Sequence, residues 1–333
     1  MAASGAGASG EDALIARYFR PLATDPGAFN LVDDAANLKA TGEDLVVTTD
    51  AMVEGVHFLA DDPPETIGRK ALRVNLSDLA AKGASPAGFV LTLALRSAEE
   101  AWLASFARGL GEDAERFGCP LLGGDTVSTP GPLMISITAF GHVAAGKMVH
   151  RSGAEPGDRV VVTGTIGDAV LGLDILKGGA AAAALADDRS ARDMLIGRYR
   201  LPQPRNGLAQ AVRDHASAAM DVSDGLAGDL GKLCAASGVS AAVDVPSIPL
   251  SAPAASLLAR GEVPIEALVS GGDDYEILCA VPENQFDIFA KKAVSAGLRV
   301  ASIGTIVAGA SAPKFLDAHA REISLSRRSY SHF

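Results

Sequence analysis

The residues whose types and spacing can do chemistry here are aspartates set beside glycines or at the ends of apolar runs. Asp33 and Asp34 stand in VDDAANL, and Thr48, Thr49 and Asp50 follow an apolar stretch beginning at Leu45. Asp78 lies in VNLSDLAAKG, Asp125 in LLGGDT, Asp221 and Asp224 in MDVSDGL, and Asp273 and Asp274 in SGGDDYE. Several of these carboxylates interrupt apolar sequence, where a charge needs a counter-charge or hydrogen-bond donors. Lys70, Arg73 and Lys82 serve one segment, whereas LLGGDT and MDVSDGL contain no basic residue. Divalent cations are the economical partner, because hard ions such as Mg²⁺ take carboxylate, hydroxyl and carbonyl oxygens and bridge to substrate phosphates.

Taken singly, each acid has a plainer reading. Asp33 and Asp34 read as a turn or helix cap, Asp50 as a loop acid, and Asp125 and Asp224 as members of glycine turns. Asp78 resists such a reading, since the helix expected around it is otherwise largely apolar. Together the set points to a metal–phosphate site. No GxxxxGK[ST] loop occurs and no GxGxxG run opens a helix, so the standard nucleotide-binding loops are not indicated. Gly123–Gly124 can bring backbone N–H groups to a phosphate. Ser223 reads equally as an N-cap or as an anion contact at a helix start. Arg151, in HRSGAEPGD, reads as a phosphate clamp or a solvated linker arginine. His57 is the histidine nearest the acidic motifs, with a substrate contact or a structural role open to it. His142, His150, His215 and His319 show no ligand-like spacing and are assigned no role.

Short β-rich runs alternate with longer helical ones. Strands are predicted at Leu45–Thr49, Gly88–Leu95, Leu133–Val143, Arg159–Thr163 and Tyr275–Val281. Helices are predicted at Glu11–Phe19, Pro64–Lys82, Ala98–Phe117, Gly225–Ala236 and Glu283–Ala296, with Pro64 at a start and Gly83 and Gly118 at ends. The mixture is α+β or α/β. Turn chemistry is densest over Ala144–Asp158, which places a domain boundary there and gives segments 1–10, a flexible tail, 11–145 and 146–333. Gly178–Ala191 is alanine-rich and reads as a helix or mobile insert. No internal repeat is evident.

A chain of 333 residues, 48% hydrophobic and 21% charged, holds material for two cores. Its net charge of -11 argues against nucleic acid as a partner. No apolar run reaches the length of a membrane-crossing helix, and the first ten residues lack the basic start and apolar core of a signal peptide. A cytoplasmic location is the expectation. Cys119, Cys234 and Cys279 form no CxxC pair and read as buried packing residues.

The motifs VDDAANL, LVVTTDAMVEGVHF, IGRKALRVNLSDLAAKGASP, LLGGDT, RSGAEPGD, TGTIGDAVLGL, MDVSDGLAGDL and GGDDYEI, in that order, resemble the thiamine-monophosphate kinase family from Asp33 to the closing YSHF. The resemblance implies the fold shared with aminoimidazole ribonucleotide synthetase: an N-terminal α/β domain that carries metal and ATP and forms a homodimer, and a C-terminal α+β domain that closes the cleft. Carried over motif by motif, it implies Asp34, Thr48, Thr49, Asp50, Asp78, Asp125, Asp221 and Asp224 as ligands of several Mg²⁺ ions. It implies ATP contacts at Gly124, Asp125, Arg151 and Ser223, and thiamine monophosphate contacts at His57, Asp273 and Tyr330. Asp50, Asp78, Asp125 and Asp221 would act in catalysis through metal. The chain departs from the family pattern at Val32, where glycine is usual, at Asp273, where glutamate is usual, and at Tyr330, where tryptophan or phenylalanine is common.

An abundance of carboxylates without a nucleophile–base pair suggests direct in-line transfer with no phosphoenzyme. The enzymatic rivals are other ATP-using members of the same fold, such as selenophosphate synthetase or aminoimidazole ribonucleotide synthetase. Selenophosphate synthetase would want a reactive cysteine near its start, yet the first here is Cys119. A hydrogenase-maturation relative would want a C-terminal cysteine, yet His332–Phe333 close the sequence. A nucleotide sensor that has lost turnover is the non-catalytic alternative, against which Asp50, Asp78, Asp125 and Asp224 speak.

Overall fold

Pro64 and the glycines at 83 and 118 bound two long helices where the sequence places them, with one strand between. The computed structural model describes residues 14–31 and 42–330. The chain divides into two units, Met1–Asn75 with Pro86–His142, and Leu76–Ser85 with Val143–Phe333.

The first unit carries β1 (Asp44–Val53), most of α1 (Pro64–Ala81), β2 (Ser85–Leu95), α2 (Glu100–Phe117), β3 (Leu121–Ser128) and β4 (Met134–Val143). Its sheet has the order β1-β4-β2-β3, so β1 and β3 are the outer strands. β2 and β3 run parallel, with Thr92 opposite Asp125. Strict alternation along β4 buries Ile135, Ile137 and Ala139 and leaves their neighbours partly exposed, the pattern of a sheet covered on one face. In α2 the spacing of Leu103, Phe106, Ala107, Leu110 and Ala114 makes one apolar stripe, and Gly118 ends the helix in the left-handed conformation at φ 61°. Gly109 lets the two helices touch, since a Cβ there would lie 2.2 Å from the Glu65 carbonyl oxygen.

The second unit adds β5 (Arg159–Thr163), α3 (Asp168–Leu176), α4 (Ala180–Ala184), α5 (Arg189–Arg200), α6 (Ala209–His215), β6 (Ala218–Asp221) and α7 (Leu226–Ser237). There follow β7 (Ser240–Asp244), α8 (Ala252–Ala259), α9 (Ile265–Ser270), β8 (Ile277–Val281), α10 (Phe286–Ser295), β9 (Val300–Val307) and β10 (Lys314–Leu316). The sheet order is β10-β7-β9-β5-β8-β6, antiparallel except for the β10–β7 edge. Both faces are buried. Val160, Val162, Leu278 and Met220 meet Leu226, Leu230 and Leu233 of α7 on one side. Val161, Ile277 and Cys279 meet Val212 and Phe289 on the other. A strand buried on both faces reads as a continuous apolar run, which is why Arg159–Thr163 was legible to the residue.

The mixed α/β architecture is as expected, and so are the five predicted strands and the helices at Pro64, Ala98 and Gly225, with ends moved by a few residues. Three segments differ from the expectation. The helix predicted at Glu11–Phe19 is described as a π-type stretch, Ile15–Phe19, its start lying outside the described residues. Gly178–Ala191 holds a five-residue helix and the start of α5. Gly123–Gly124–Asp125, for which a tight turn was the plainer alternative, lies inside β3, where a Cβ at Gly124 would come 1.9 Å from the Leu91 carbonyl oxygen. Among the described residues no helix is long and apolar enough to cross a membrane. The three cysteines are free and buried, and burial pushes the Cys119 and Cys279 thiols up to about 12 and that of Cys234 up to about 11, as inert packing residues require.

Candidate functional site

In the first unit the candidate ligands stand on the two outer strands. Thr48 and Asp50 share strand parity with buried Val46 and Met52, while Thr49 faces the other way. There Thr49 donates to the Ile137 carbonyl at 3.2 Å and accepts from the Thr138 hydroxyl at 3.0 Å. Asp125 is exposed on β3. Two strands separate it from Asp50, about 14 Å at the usual spacing. The single metal–phosphate cluster expected from sequence therefore does not form within one sheet. Asp34 lies outside the described residues.

His57 is held on both sides. Its Nδ1 accepts the Val53 N–H at 3.0 Å, and buried Lys70 donates to its carbonyl at 3.0 Å. In the neutral ring the proton therefore sits on Nε2, leaving that nitrogen a donor. The basic residues that sequence assigned to Asp78 are mostly engaged elsewhere: Lys70 on His57, and Arg73 on Asp113 through contacts of 2.5 and 2.9 Å.

The second unit gathers the remaining candidates. Asp78, in the last turn of α1, is the partly exposed position in an otherwise buried run from Lys70 to Ala81. Lys82, one turn on, donates to the Ala219 carbonyl at 2.7 Å. Burial lowers its pKa, as does nearby Arg151, while Asp221 and Asp78 act in the opposite sense. Asp221 ends β6 and is 7% exposed; Arg151 is exposed.

Beyond Asp221 the chain turns through Ser223 and Asp224 into α7. Both turn N–H groups donate to one oxygen of fully buried Asp229, at 3.0 and 2.9 Å. Lys232 bridges Asp224 at 2.5 Å and Asp229 at 2.8 Å. Asp224, expected to need a metal for want of a cation, thus has one from the next helix. The same turn collects the acceptor-side candidates. The Asp273 N–H donates to the Ser223 carbonyl at 2.8 Å and the Tyr330 N–H to the Asp224 carbonyl at 3.0 Å. The Arg327 guanidinium lies over the Tyr330 ring, 5.7 Å from its centre. Asp229, Lys232 and Arg327 escaped the sequence reading. Asp229 and Lys232 stand five and eight residues beyond Asp224, three apart on a predicted helix, which was the available signal.

Next to Asp273, Asp274 is buried and accepts the Gly167 N–H at 2.8 Å. Burial holds its carboxyl well above the ordinary carboxylate range, against the pull of that hydrogen bond. The folded protein therefore keeps a proton that the unfolded chain releases above about pH 4. Stability from this group is greatest in acid and falls as pH rises from there through the raised folded value. Asp274→Asn is expected to flatten that decline, measured as urea midpoints in a pH series rising from about 4, the unfolded value. An unchanged pH profile would refute the assignment.

Among the described residues no three His, Cys, Asp or Glu side chains form a metal cage. The donors that are present, carboxylates and threonine hydroxyls, are hard oxygens in ones and twos. That suits Mg²⁺, which is commonly held by one or two carboxylates plus substrate phosphates.

Comparison with known proteins decides the family. Residues 32–143 match the N-terminal domain of AIR synthase related proteins and residues 155–313 match the C-terminal domain. The thiamine-monophosphate kinase of Caulobacter vibrioides is 45% identical over 96% of this chain and 89% of its own length. The chain belongs to the thiamine-monophosphate kinase family. The crystal structure of thiamine-monophosphate kinase from Stenotrophomonas maltophilia K279a superposes with a TM-score of 0.79 at 40% identity, covering 89% of this chain and 93% of that one. AaThiL complexed with AMPPCP and TMP gives a TM-score of 0.77 at 29% identity, covering 92% and 97%. Solved members of this kinase family thus share the present fold along most of the chain.

Proposed function

We propose that the chain transfers the γ-phosphoryl group of ATP to the phosphate of thiamine monophosphate, giving thiamine diphosphate. The observation that carries this reading is the 45% identity to a thiamine-monophosphate kinase along 96% of the chain. A relative bound to AMPPCP and TMP supports the same pair of substrates. Asp50, Asp78, Asp125 and Asp221, with Asp34, Thr48, Thr49 and Asp224, would hold Mg²⁺. When bound, the ions would neutralise phosphate charge on donor and acceptor.

The chain's own groups do the positioning. The Arg151 guanidinium binds ATP phosphate oxygens, Gly124 lets backbone approach them, and Ser223 offers a hydroxyl from a turn fixed by Asp229. His57 presents its Nε2–H to the acceptor phosphate, and Tyr330, braced by Arg327, stacks on the flat ring of thiamine. The acceptor oxygen attacks γ-phosphorus in line. A phosphate monoester is largely dianionic at neutral pH, so the attack needs no dedicated base. The reaction uses ATP and belongs in the cytoplasm. We assign residues 11–145 to the domain that binds metal and ATP and 146–333 to the C-terminal domain, which adds Arg151 and Ser223 to the nucleotide contacts.

The separation of Asp50 from Asp125 supports a homodimer through the first domain. Setting β1 of one copy beside β3 of a second would bring the two acids together. Leu45, Val47 and Val127 on these strands are apolar and exposed. Val47→Asp is expected to weaken the dimer by at least about tenfold, read by sedimentation equilibrium, with activity falling in step. A monomeric wild type would refute it.

The function is tested by incubating the protein with ATP and thiamine monophosphate, with Mg²⁺ and with chelator, and resolving thiamine diphosphate. Metal-dependent product is expected. A folded, ATP-binding protein that makes none would direct the search to another acceptor or to a sensor.

A further inference from the structure

The segment Gly271–Glu276 forms neither helix nor strand, yet it is braced from both sides. Asp273 and Tyr275 both hold left-handed backbone, at φ 72° and 49°, a conformation that side-chain-bearing residues adopt at a cost. Such an arch persists when its surroundings dictate it. The residues between and after these two supply the anchors. Asp274 accepts from Gly167 at the start of α3. Glu276 is wholly buried: Arg198 donates to its Oε1 at 2.6 Å, Arg205 spans both oxygens with Nε at 2.6 Å, and the Thr163 hydroxyl donates to Oε2 at 2.6 Å. The same Thr163 oxygen accepts the Ile277 N–H at 2.8 Å, tying the clamp to the first residue of β8.

We infer that Arg205, Arg198 and Thr163 are positioning residues for the acceptor substrate: by clamping Glu276 they fix the arch that presents Asp273. The inference rests on the proposed kinase reaction. Its specificity comes from a second anchor. The turn carrying Ser223 has its own buried post in Asp229, held in turn by Lys232. Backbone hydrogen bonds also tie the arch to this turn, from the Asp273 and Tyr275 N–H groups to the Ser223 and Val222 carbonyls at 2.8 Å each, so loosening the Glu276 clamp lets the arch shift against a turn that Asp229 still holds. The two substrates should therefore respond separately.

Glu276→Ala strands two guanidinium groups and risks the fold, so milder variants are used. Arg205→Lys keeps the charge and gives up the two-pronged contact. Thr163→Val removes the hydroxyl, and Thr163→Ser keeps it. Steady-state kinetics are run with each substrate varied, beside thermal midpoints. The KM for thiamine monophosphate should rise about tenfold in Arg205→Lys and Thr163→Val, with KM for ATP within about twofold of wild type. Thr163→Ser should restore the acceptor KM. Rises shared equally by both substrates, unchanged acceptor KM, or failure of serine to rescue would each mark the cluster as structural and overturn the inference, leaving the kinase reading intact. Absence of thiamine diphosphate from the wild type, seen before any variant is compared, would overturn the kinase reading and this inference with it.

Discussion

Asp78→Asn is expected to lower kcat/KM by roughly a hundred- to a thousandfold, the scale of losing one charge-stabilising group in a transfer reaction, with little change in thermal midpoint. The exchange keeps shape and removes charge. Asp78 stands in the last turn of α1 where the buried run from Lys70 to Ala81 opens to partial exposure, so a neutral amide meets solvent rather than core. Lys82 sits one turn on and feels Asp78 and Asp221 together; with one carboxylate gone, the other still faces it. Stability should hold for that reason. Turnover should not, because two anionic phosphates must be brought together and Asp78 is proposed to help hold the cations that allow it. Metal binding supplies an independent readout: Mn²⁺ titration in the presence of ATP should show weakened uptake. Full activity in a metal-replete assay would defeat the scheme.

What the sequence made legible, and what it did not, follows from how each signal is carried. Strands rich in β-branched residues announced themselves, as in Arg159–Thr163. β6, reading Ala-Ala-Met-Asp, and β7, reading Ser-Ala-Ala-Val-Asp, did not, since alanine has no strand preference and their burial is decided by neighbours. Gly123–Gly124 carried the opposite error: glycines that usually mark turns here allow β3 to lie close to Leu91. The acidic motifs were visible because aspartate in apolar sequence is conspicuous. Their partners were not. Arg198 and Arg205 reach Glu276 from more than seventy positions away, and Lys232 reaches Asp224 from the next helix. Local composition therefore showed MDVSDGL without the cation that Lys232 supplies to Asp224.

The same reasoning about partners gives the largest expected effect on stability. Asp113→Ala should destabilise the protein by about 3–5 kcal/mol, seen as a lowered urea midpoint. Arg73 and Asp113 are each 1% exposed and joined by two contacts, from Nε at 2.5 Å and from the second guanidinium nitrogen at 2.9 Å. The guanidinium also lies 5.8 Å from the centre of the Phe117 ring. Removing the carboxylate leaves a cation inside the first unit, facing an aromatic ring that offsets little of its lost hydration. The loss measures the buried charge deprived of this carboxylate rather than the strength of the pair. Replacing both residues, as Arg73→Met with Asp113→Leu, should therefore recover most of the stability lost in Asp113→Ala, since a well-packed apolar pair of similar volume commonly equals a buried ion pair. A double variant as unstable as the single one would show that the pair contributes directly. In that case α1 and α2 depend on this contact, and Asp78 at the far end of α1 would lose its setting along with it.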